Sequence, residues 1–107
     1  MAGGEVMAAE VEAKSEKAWG VYVLLCAADT LYTGITCDLS GRYDQHRRGR
    51  GARYTRMYPP QAILAWRPCA DRAAASRLEA AVKRMTRKEK WHWIEEHPYL
   101  CAISPAP

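Results

Sequence analysis

Five residues spread along this chain of 107 carry side chains suited to cleaving a phosphodiester bond. They are Tyr22, Tyr32, Arg42, His46 and Glu79. A phenol can position or deprotonate a water molecule, a guanidinium neutralises a phosphate, and a carboxylate binds a divalent cation. Each residue taken alone has an ordinary explanation, as a core aromatic, a helix-surface residue or half of a surface ion pair. Their joint chemistry depends on the fold bringing all five together.

The two tyrosines lie in short segments that are predicted to form a β-hairpin. The run Trp19 to Cys26 is almost continuously apolar, as in a strand covered on both faces, and a short turn leads to a second strand from Leu31 to Thr36. This hairpin places Tyr22 and Tyr32 in one neighbourhood. Gly34 inside the second strand indicates either a simple bulge or the close approach of another backbone or a ligand.

A helix is predicted directly after the hairpin. Asp38 can cap a helix that begins near Leu39 and ends before Gly49. Arg42 and His46 are four residues apart, so they lie on one face of that helix, one turn from each other. The helix therefore offers a cation and an imidazole on the same side.

The second half of the domain is predicted to contain one strand and two helices. Ala62 to Trp66 reads as a third strand, and Asp71 caps a helix in which Glu79 lies beside the apolar stripe. Thr86 begins a capping box for the last helix. The order is β-β-α-β-α-α, which predicts an α/β (α+β) domain with a three-stranded, mainly antiparallel sheet flanked by helices.

The segment from residue 47 to residue 56 carries five arginines and no acidic residue. Such a run is most often a solvated basic loop, but unpaired guanidiniums repel one another and favour an external polyanion. The interleaved Tyr54 and Tyr58 can stack on nucleic-acid bases. The candidate nucleic-acid-binding residues are Arg47, Arg48, Arg50, Arg53, Tyr54 and Arg56.

Length and composition fit one domain at residues 18–100, with a flexible tail at 1–17 and an irregular tail at 101–107. From residue 18 onward the chain has 14 Lys and Arg against 8 Asp and Glu, an excess that favours polyanionic partners. The four cysteines lack the spacing of zinc sites, which predicts reduced thiols in a cytoplasmic protein. No apolar run reaches the roughly 20 residues of a membrane span.

The motifs together resemble the GIY-YIG nuclease superfamily, in particular its small stand-alone bacterial members. The resemblance covers residues 18–97. It rests on segments that occur in the family's order: Gly20-Val21-Tyr22, Tyr32-Thr33-Gly34-Ile35-Thr36, the helix with Arg42 and His46, the loop from Gly51 to Arg56, and the helix with Glu79. The resemblance implies a compact α/β domain that cuts phosphodiester bonds using one divalent metal, Mg²⁺ or Mn²⁺.

The resemblance also implies a role for each of the five residues. Glu79 resembles the single carboxylate that holds the metal, and Arg42 resembles the arginine that steadies the scissile phosphate. Tyr22 and Tyr32 resemble the family's paired tyrosines, one of which is usually proposed as the general base. His46 occupies a position where family members carry histidine or tyrosine. Which of Tyr22, Tyr32 and His46 is the base stays open.

The sequence departs from the family pattern at several places. Val21 and Thr33 stand where the motif has isoleucine, and a strand tolerates both. Ile35 and Thr36 stand where other branches carry a basic residue. The chain has no asparagine, whereas many relatives place one late in the domain; His92 is the candidate replacement.

Three functions are consistent with this sequence. The first is a metal-dependent endonuclease that acts on DNA, at single-stranded or branched ends, in DNA repair or processing, as a monomer or weak homo-oligomer. The second is a nucleic-acid-binding module on a nuclease scaffold with little catalysis. The third is a subunit of a larger repair complex that docks through Trp66, Trp91 or Trp93.

Overall fold

The computed structural model describes residues 17–99, which form a three-stranded sheet with helices packed on both faces. The strands are β1 (Gly20–Cys26), β2 (Thr30–Thr36) and β3 (Pro60–Pro68), and a single 3₁₀ turn at Ala27–Asp29 joins the first two. The helices are α1 (Leu39–Arg47), α2 (Arg53–Met57), α3 (Arg72–Lys83) and α4 (Arg87–Glu96). Both strand pairings are antiparallel, which confirms the predicted α/β (α+β) class.

The two predicted tails lie outside the described residues, apart from Lys17. The Lys17 ammonium is 3.2 Å from a carboxylate oxygen of Asp38, at the start of α1. The proposed domain boundaries stay predictions.

The sheet has the strand order β2-β1-β3, so the hairpin's first strand lies in the middle. A central strand is covered by neighbours at both edges and by helices on both faces, which explains the nearly continuous apolar sequence of β1. Tyr22 lies directly opposite Gly34 of β2 and opposite Trp66 of β3. The side chains of β1 alternate between the two faces, so Val21 and Val23 lie on the face opposite Tyr22.

Two separate hydrophobic clusters cover the two faces of the sheet. One joins the strands to the last two helices through Val21, Val23, Ala65, Ala75, Val82, Trp93 and Ile94. The other joins the strands to α1 through Tyr22, Leu24, Cys26, Leu39 and Trp66. The candidate catalytic residues Tyr22 and His46 belong to the second face.

The tryptophans do not form an exposed docking surface. Trp66 and Trp93 are only 9% and 7% exposed, and Trp91 packs against the first cluster while partly buried. The docking hypothesis that relied on these three side chains therefore lacks the surface it needs.

The predicted helix starts are confirmed by their caps. The side chain of Asp38 accepts a hydrogen bond from the backbone N–H of Gly41 (3.3 Å), and that of Asp71 accepts one from Ala74 (2.8 Å). Thr86 and Glu89 form the reciprocal capping box. Such caps satisfy the N–H groups that a helix start leaves unpaired. None of the helices within residues 17–99 is long and apolar enough to cross a bilayer.

Two elements differ from the prediction. The basic segment was predicted to be a loop, but its second half forms the short helix α2, which changes the order to β-β-α-α-β-α-α. Five residues with a single buried side chain, Thr55, give no helical periodicity that a sequence could reveal. The third strand is also longer than predicted and begins at Pro60. Proline is tolerated there because it is the first residue of an edge strand.

The described cysteines are free thiols. Cys26 is buried, Cys69 is half-buried and Cys37 is exposed, whereas Cys101 lies outside the described residues. Burial raises the pKa of the Cys26 thiol to about 11, so this thiol stays protonated and unreactive at neutral pH.

Candidate functional site

The Tyr22 ring lies across β2 at the position of Gly34. A Cβ atom added to Gly34 would lie 2.6 Å from Cζ of Tyr22, closer than packed carbon atoms can approach. The sequence predicted either a bulge or a close approach at Gly34; the structure has a close approach, by the Tyr22 phenol across the ladder. The glycine therefore makes room for the tyrosine to fold over the sheet.

A chain of three hydrogen bonds, the first two of them buried, starts at the Tyr22 hydroxyl. Its oxygen lies 2.8 Å from Nε2 of His46, and Nδ1 of His46 lies 2.7 Å from Oγ1 of Thr55. The Thr55 hydroxyl donates to the backbone carbonyl of Ala52 at 2.9 Å. Tyr22, His46 and Thr55 are each 1% exposed, so this chain is shielded from water.

The directions of these hydrogen bonds follow from the proton count. The Thr55 hydroxyl has one hydrogen, which goes to the Ala52 carbonyl, so its oxygen must accept from His46 Nδ1–H. A neutral imidazole protonated on Nδ1 has a free lone pair on Nε2. The Tyr22 hydroxyl therefore donates to His46, and Thr55 fixes which tautomer His46 adopts.

Burial keeps both partners of the Tyr22–His46 pair neutral. Desolvation, with a smaller contribution from the Arg42 guanidinium, lowers the pKa of His46 to about 4. Desolvation also raises the pKa of the Tyr22 hydroxyl, although the Arg42 guanidinium beside it acts in the opposite direction. At neutral pH the pair is thus a phenol donating to an imidazole.

Arg42 and Glu79, which are far apart in sequence, both act on the Tyr22 phenol. The positive charge of Arg42 favours the phenolate, whereas the negative charge of Glu79 disfavours it. The Arg42 guanidinium donates to the side-chain oxygen of Gln45 through one nitrogen, at 2.8 Å. Its remaining donors suit a phosphate, which a planar guanidinium can bind through two nitrogens.

Glu79 is the carboxylate that could hold a metal ion. Its side chain is 21% exposed and lies 3.3 Å from the Lys83 ammonium, so the ordinary i, i+4 ion pair is also present. Within residues 17–99 there is no group of three or more His, Cys, Asp or Glu that could hold a metal ion. Mg²⁺ fits a single carboxylate when substrate phosphates and water complete its coordination.

Tyr32 joins the site through its ring. The ring centroid of Tyr32 lies 6.2 Å from that of Tyr22 and 5.2 Å from that of His46. Its hydroxyl has no hydrogen-bond partner within the described part of the chain. The structure thus brings all five predicted residues into one neighbourhood around the Tyr22 hydroxyl.

A row of aromatic rings continues outward from Tyr32. Tyr54 of α2 lies 5.6 Å from Tyr32 between ring centroids, and Tyr58 lies 5.2 Å from Tyr54. The sequence predicts that Tyr54 and Tyr58 can stack on nucleic-acid bases. Their rings contact each other at a tilt of 44°, and Tyr54 keeps an exposed fraction of 36%.

The predicted nucleic-acid-binding arginines lie at the surface. Arg48 forms an ion pair with Asp44 of α1 at 3.0 Å, so the expectation of five unpaired guanidiniums is wrong for this one. The acid comes from the preceding helix turn, outside the segment. The others form no ion pair within residues 17–99: Arg47, Arg50, Arg53 and Arg56.

His92 does not join the site. Its side chain is 72% exposed and lies 3.5 Å from a carboxylate oxygen of Glu96 on the outer face of α4. The described contacts therefore give no support to His92 as a replacement for the missing asparagine.

Thr55 and Gly51, for which the sequence predicted no part in the site, complete the surroundings of His46. Thr55 accepts from its Nδ1–H, and Gly51 lies so close that an added Cβ would be 2.8 Å from Cε1 of the ring. Both belong to the Gly51–Arg56 segment that the family resemblance had included. The sequence signal for this contact is a threonine among arginines, and that signal is weak.

Comparison with known proteins shows the family of this domain. The family described as the GIY-YIG catalytic domain matches residues 18–92. A UPF0213 protein of Xanthomonas axonopodis pv. citri is 50% identical over 82 residues, which cover 77% of this chain and 80% of the relative. A UPF0213 protein of Nitratidesulfovibrio vulgaris is 44% identical over 77 residues, or 72% of this chain and 70% of the relative.

A third relative is the UPF0213 protein of Sodalis glossinidius, 36% identical over 83% of this chain and 94% of its own length. No solved structure matches the chain. The family match covers more than half of the residues, and it includes every residue that contributes to the Tyr22–His46–Thr55 chain. The protein therefore belongs to the GIY-YIG nuclease superfamily, among its small bacterial UPF0213 members.

Proposed function

We propose that this protein is a divalent-metal-dependent endonuclease that cleaves phosphodiester bonds of DNA. Its substrates in this proposal are single-stranded or branched DNA ends, and its role is DNA repair or processing in the cytoplasm. We expect it to act as a monomer or weak homo-oligomer. The observation that supports this most is the convergence on one phenol. Tyr22 donates to a buried neutral imidazole, while the charges of Arg42 and Glu79 reach the same hydroxyl.

His46 is unsuited to take a proton directly from water. Both of its ring nitrogens are hydrogen-bonded, one to Tyr22 and one to Thr55, and the side chain is 1% exposed. Its free lone pair on Nε2 instead faces the Tyr22 hydrogen. We propose that His46 acts through Tyr22, by orienting the hydroxyl and by receiving its proton.

The two phenols remain the candidates for the general base, and their surroundings differ. Tyr22 could accept a proton from water as its own hydrogen passes to His46 Nε2. Tyr32 is half-buried, and its hydroxyl is free of partners within residues 17–99, so its oxygen is available to a water molecule. Comparing the cleavage rates of Tyr22→Phe and Tyr32→Phe separates them. We expect the variant that lacks the base to cleave more than about 100-fold more slowly than the parent, and the other variant to lose less.

The other two charged residues have complementary roles in the proposal. Arg42 binds the scissile phosphate, with permanent charge and a planar fork of donors. GIY-YIG nucleases generally use divalent metals, and Glu79 would hold Mg²⁺ or Mn²⁺ here. Such a cation acidifies bound water and stabilises charge that develops on a phosphate.

Glu79→Gln tests the proposal. The substitution keeps the size of the side chain but removes the charge that a cation needs. We expect the variant to lose cleavage of labelled single-stranded, duplex and flap oligonucleotides in Mg²⁺ or Mn²⁺, while binding in chelator changes less than about twofold. Glu95→Gln, at a side chain that is 76% exposed, is the matched control and should cleave like the parent. Equal cleavage by Glu79→Gln and the parent would refute the assignment.

A second candidate function is nucleic-acid binding with little catalysis. The four arginines of the basic segment that form no ion pair within residues 17–99 support binding whether or not cleavage follows. The same panel of oligonucleotides decides between the two functions. A parent protein that binds DNA but yields no metal-dependent product would favour the binding module.

A further inference from the structure

A small cleft lies beside the row of tyrosines, outside the five-residue site. It has a volume of about 200 Å³ and is lined by Thr30 and Leu31 of β2, Tyr54 of α2, and Arg87 and Lys90 of α4. Three elements that are distant in sequence thus meet around it. Its lining offers one aromatic ring, the hydroxyls of Thr30 and Tyr54, two cations and no carboxylate.

The two cations of the cleft differ in the ion pairs that they form. Lys90 forms no ion pair in the part of the chain that the structure describes. Arg87 lies 3.2 Å from the carboxylate of Asp29, in a pair whose side chains are 50% and 82% exposed. Exposed pairs of this kind contribute little free energy, so a phosphate can replace Asp29 as the partner of Arg87. The Arg87 guanidinium is also held by the Asp29 carbonyl at 2.9 Å, which orients it.

The cleft is connected to the proposed catalytic centre through two rings. Tyr54 lines the cleft and lies 5.6 Å from Tyr32, whose ring is 5.2 Å from that of His46. A group bound in the cleft against Tyr54 is therefore close to, but separate from, a phosphate bound beside Tyr22. This arrangement matches successive nucleotides of one strand better than two parts of one nucleotide.

The start of α4 does not explain the site by itself. The capping box engages the N–H groups of Thr86 and Glu89, and the positive charge that lines the cleft belongs to the side chains of Arg87 and Lys90. Tyr54 adds the second feature of a nucleic-acid surface. An aromatic face next to cations binds an unpaired base by stacking and its phosphate by charge.

Building on the proposed function, we propose that the cleft of Tyr54, Arg87 and Lys90 is a subsite for an unpaired nucleotide that flanks the cleaved bond. The base stacks on the exposed part of Tyr54, and the phosphate lies between Lys90 and Arg87. The subsite would make affinity depend on one more nucleotide than the catalytic residues contact. It extends the proposed nucleic-acid surface from the arginines of residues 47–56 to α4, which lies more than one element later in the sequence.

Lys90→Gln and Lys88→Gln provide a matched comparison. Both lysines are in the first turns of α4 and both changes remove one positive charge, but Lys88 lines a different groove together with Met85 and His92. The assay is fluorescence anisotropy of a labelled single-stranded oligodeoxynucleotide in chelator, over a range of salt concentrations. We expect Lys90→Gln to lower the slope of log affinity against log salt by about 0.7, and Lys88→Gln to leave it unchanged.

Tyr54→Leu and Tyr54→Phe test the stacking. We expect Tyr54→Leu to weaken binding by roughly 5-fold to 100-fold, whereas Tyr54→Phe, which keeps the ring, stays close to the parent. Circular-dichroism melting checks that Tyr54→Leu is folded at the assay temperature. If it is not, the lysine comparison still decides, because Lys90 is at the surface of an intact helix.

The subsite and the catalytic proposal fail in different experiments. Identical affinity and salt slope for Lys90→Gln and Lys88→Gln would overturn the subsite, even if Glu79→Gln abolishes cleavage. A parent without cleavage would overturn the catalytic proposal, while the chelator binding data would still support the subsite if Lys90→Gln alone weakens binding.

Discussion

Thr55→Val tests whether the buried hydrogen-bond chain holds His46 in one tautomer. Valine keeps the branched shape of threonine but removes its hydroxyl. The Nδ1–H of His46, a side chain 1% exposed, then has no acceptor. Leaving a buried donor unpaired costs about 1–3 kcal/mol. The Ala52 carbonyl also loses its donor, but Ala52 is only half-buried, so water can replace it.

This cost translates into a measurable change in melting temperature. For a domain of this size about 1 kcal/mol corresponds to roughly 4–8 °C, so we expect Thr55→Val to melt roughly 5–20 °C below the parent. Thr55→Ser keeps the hydroxyl and loses one methyl group, and it should lie closer to the parent. Thermal melting followed by circular dichroism provides both values.

A merely structural threonine would affect stability alone, so the tautomer needs its own measurement. Nitrogen NMR of the His46 ring should show protonated Nδ1 in the parent and in Thr55→Ser, and a mixture of tautomers in Thr55→Val. We further expect Thr55→Val to lower kcat while KM changes little, because His46 acts on Tyr22 rather than on bound DNA. Protonated Nε2 in the parent, or equal melting of Thr55→Val and Thr55→Ser, would refute the proposed chain.

Three further predictions concern the neighbouring residues. Folding lowers the pKa of His46 from 6.5 to about 4, so the free energy of unfolding is highest above pH 6.5 and decreases by about 3 kcal/mol as the pH falls to 4. Urea unfolding of the parent and of His46→Gln at several pH values measures this difference. Gly34→Ala should cost about 1–3 kcal/mol and displace the Tyr22 ring, which melting and loss of cleavage would report. Replacing Arg50 and Arg53 by Gln should lower the salt slope for single-stranded DNA by up to about 1.4, and an unchanged slope would exclude both from the interface.

The hairpin, the capped helices and the sheet could be predicted because each leaves a local signal. The apolar run of β1, the Asp38 and Asp71 caps and the Thr86 capping box each involve residues within a few positions of one another. Local chemistry of this kind dominates where a helix starts and which strands form hairpins. The predicted bounds of these elements therefore agree with the structure to within a few residues.

The strand order and the burial of His46 left no such signal. That β1 is central depends on β3, which pairs with it from about forty residues away. A histidine four residues from an arginine on an otherwise polar helix is typical of a helix surface. Its burial depends on contacts with the distant Tyr22 and Tyr32 as well as with Gly51 and Thr55. The family resemblance supplied the catalytic residues, but not the hydrogen-bond partner that orients one of them.

The basic segment combines two roles that must be separated before its contribution to activity can be interpreted. Thr55 and Gly51 contact His46 from the inside, while Arg50 and Arg53 are exposed on the outside of the same short stretch. Deleting the stretch would remove the acceptor of His46 Nδ1–H together with the positive charge. A loss of cleavage in such a deletion would say nothing about DNA binding. Charge-neutral substitutions at the exposed arginines leave the inner contacts in place, so only they can assign a salt-dependent loss of affinity to the surface.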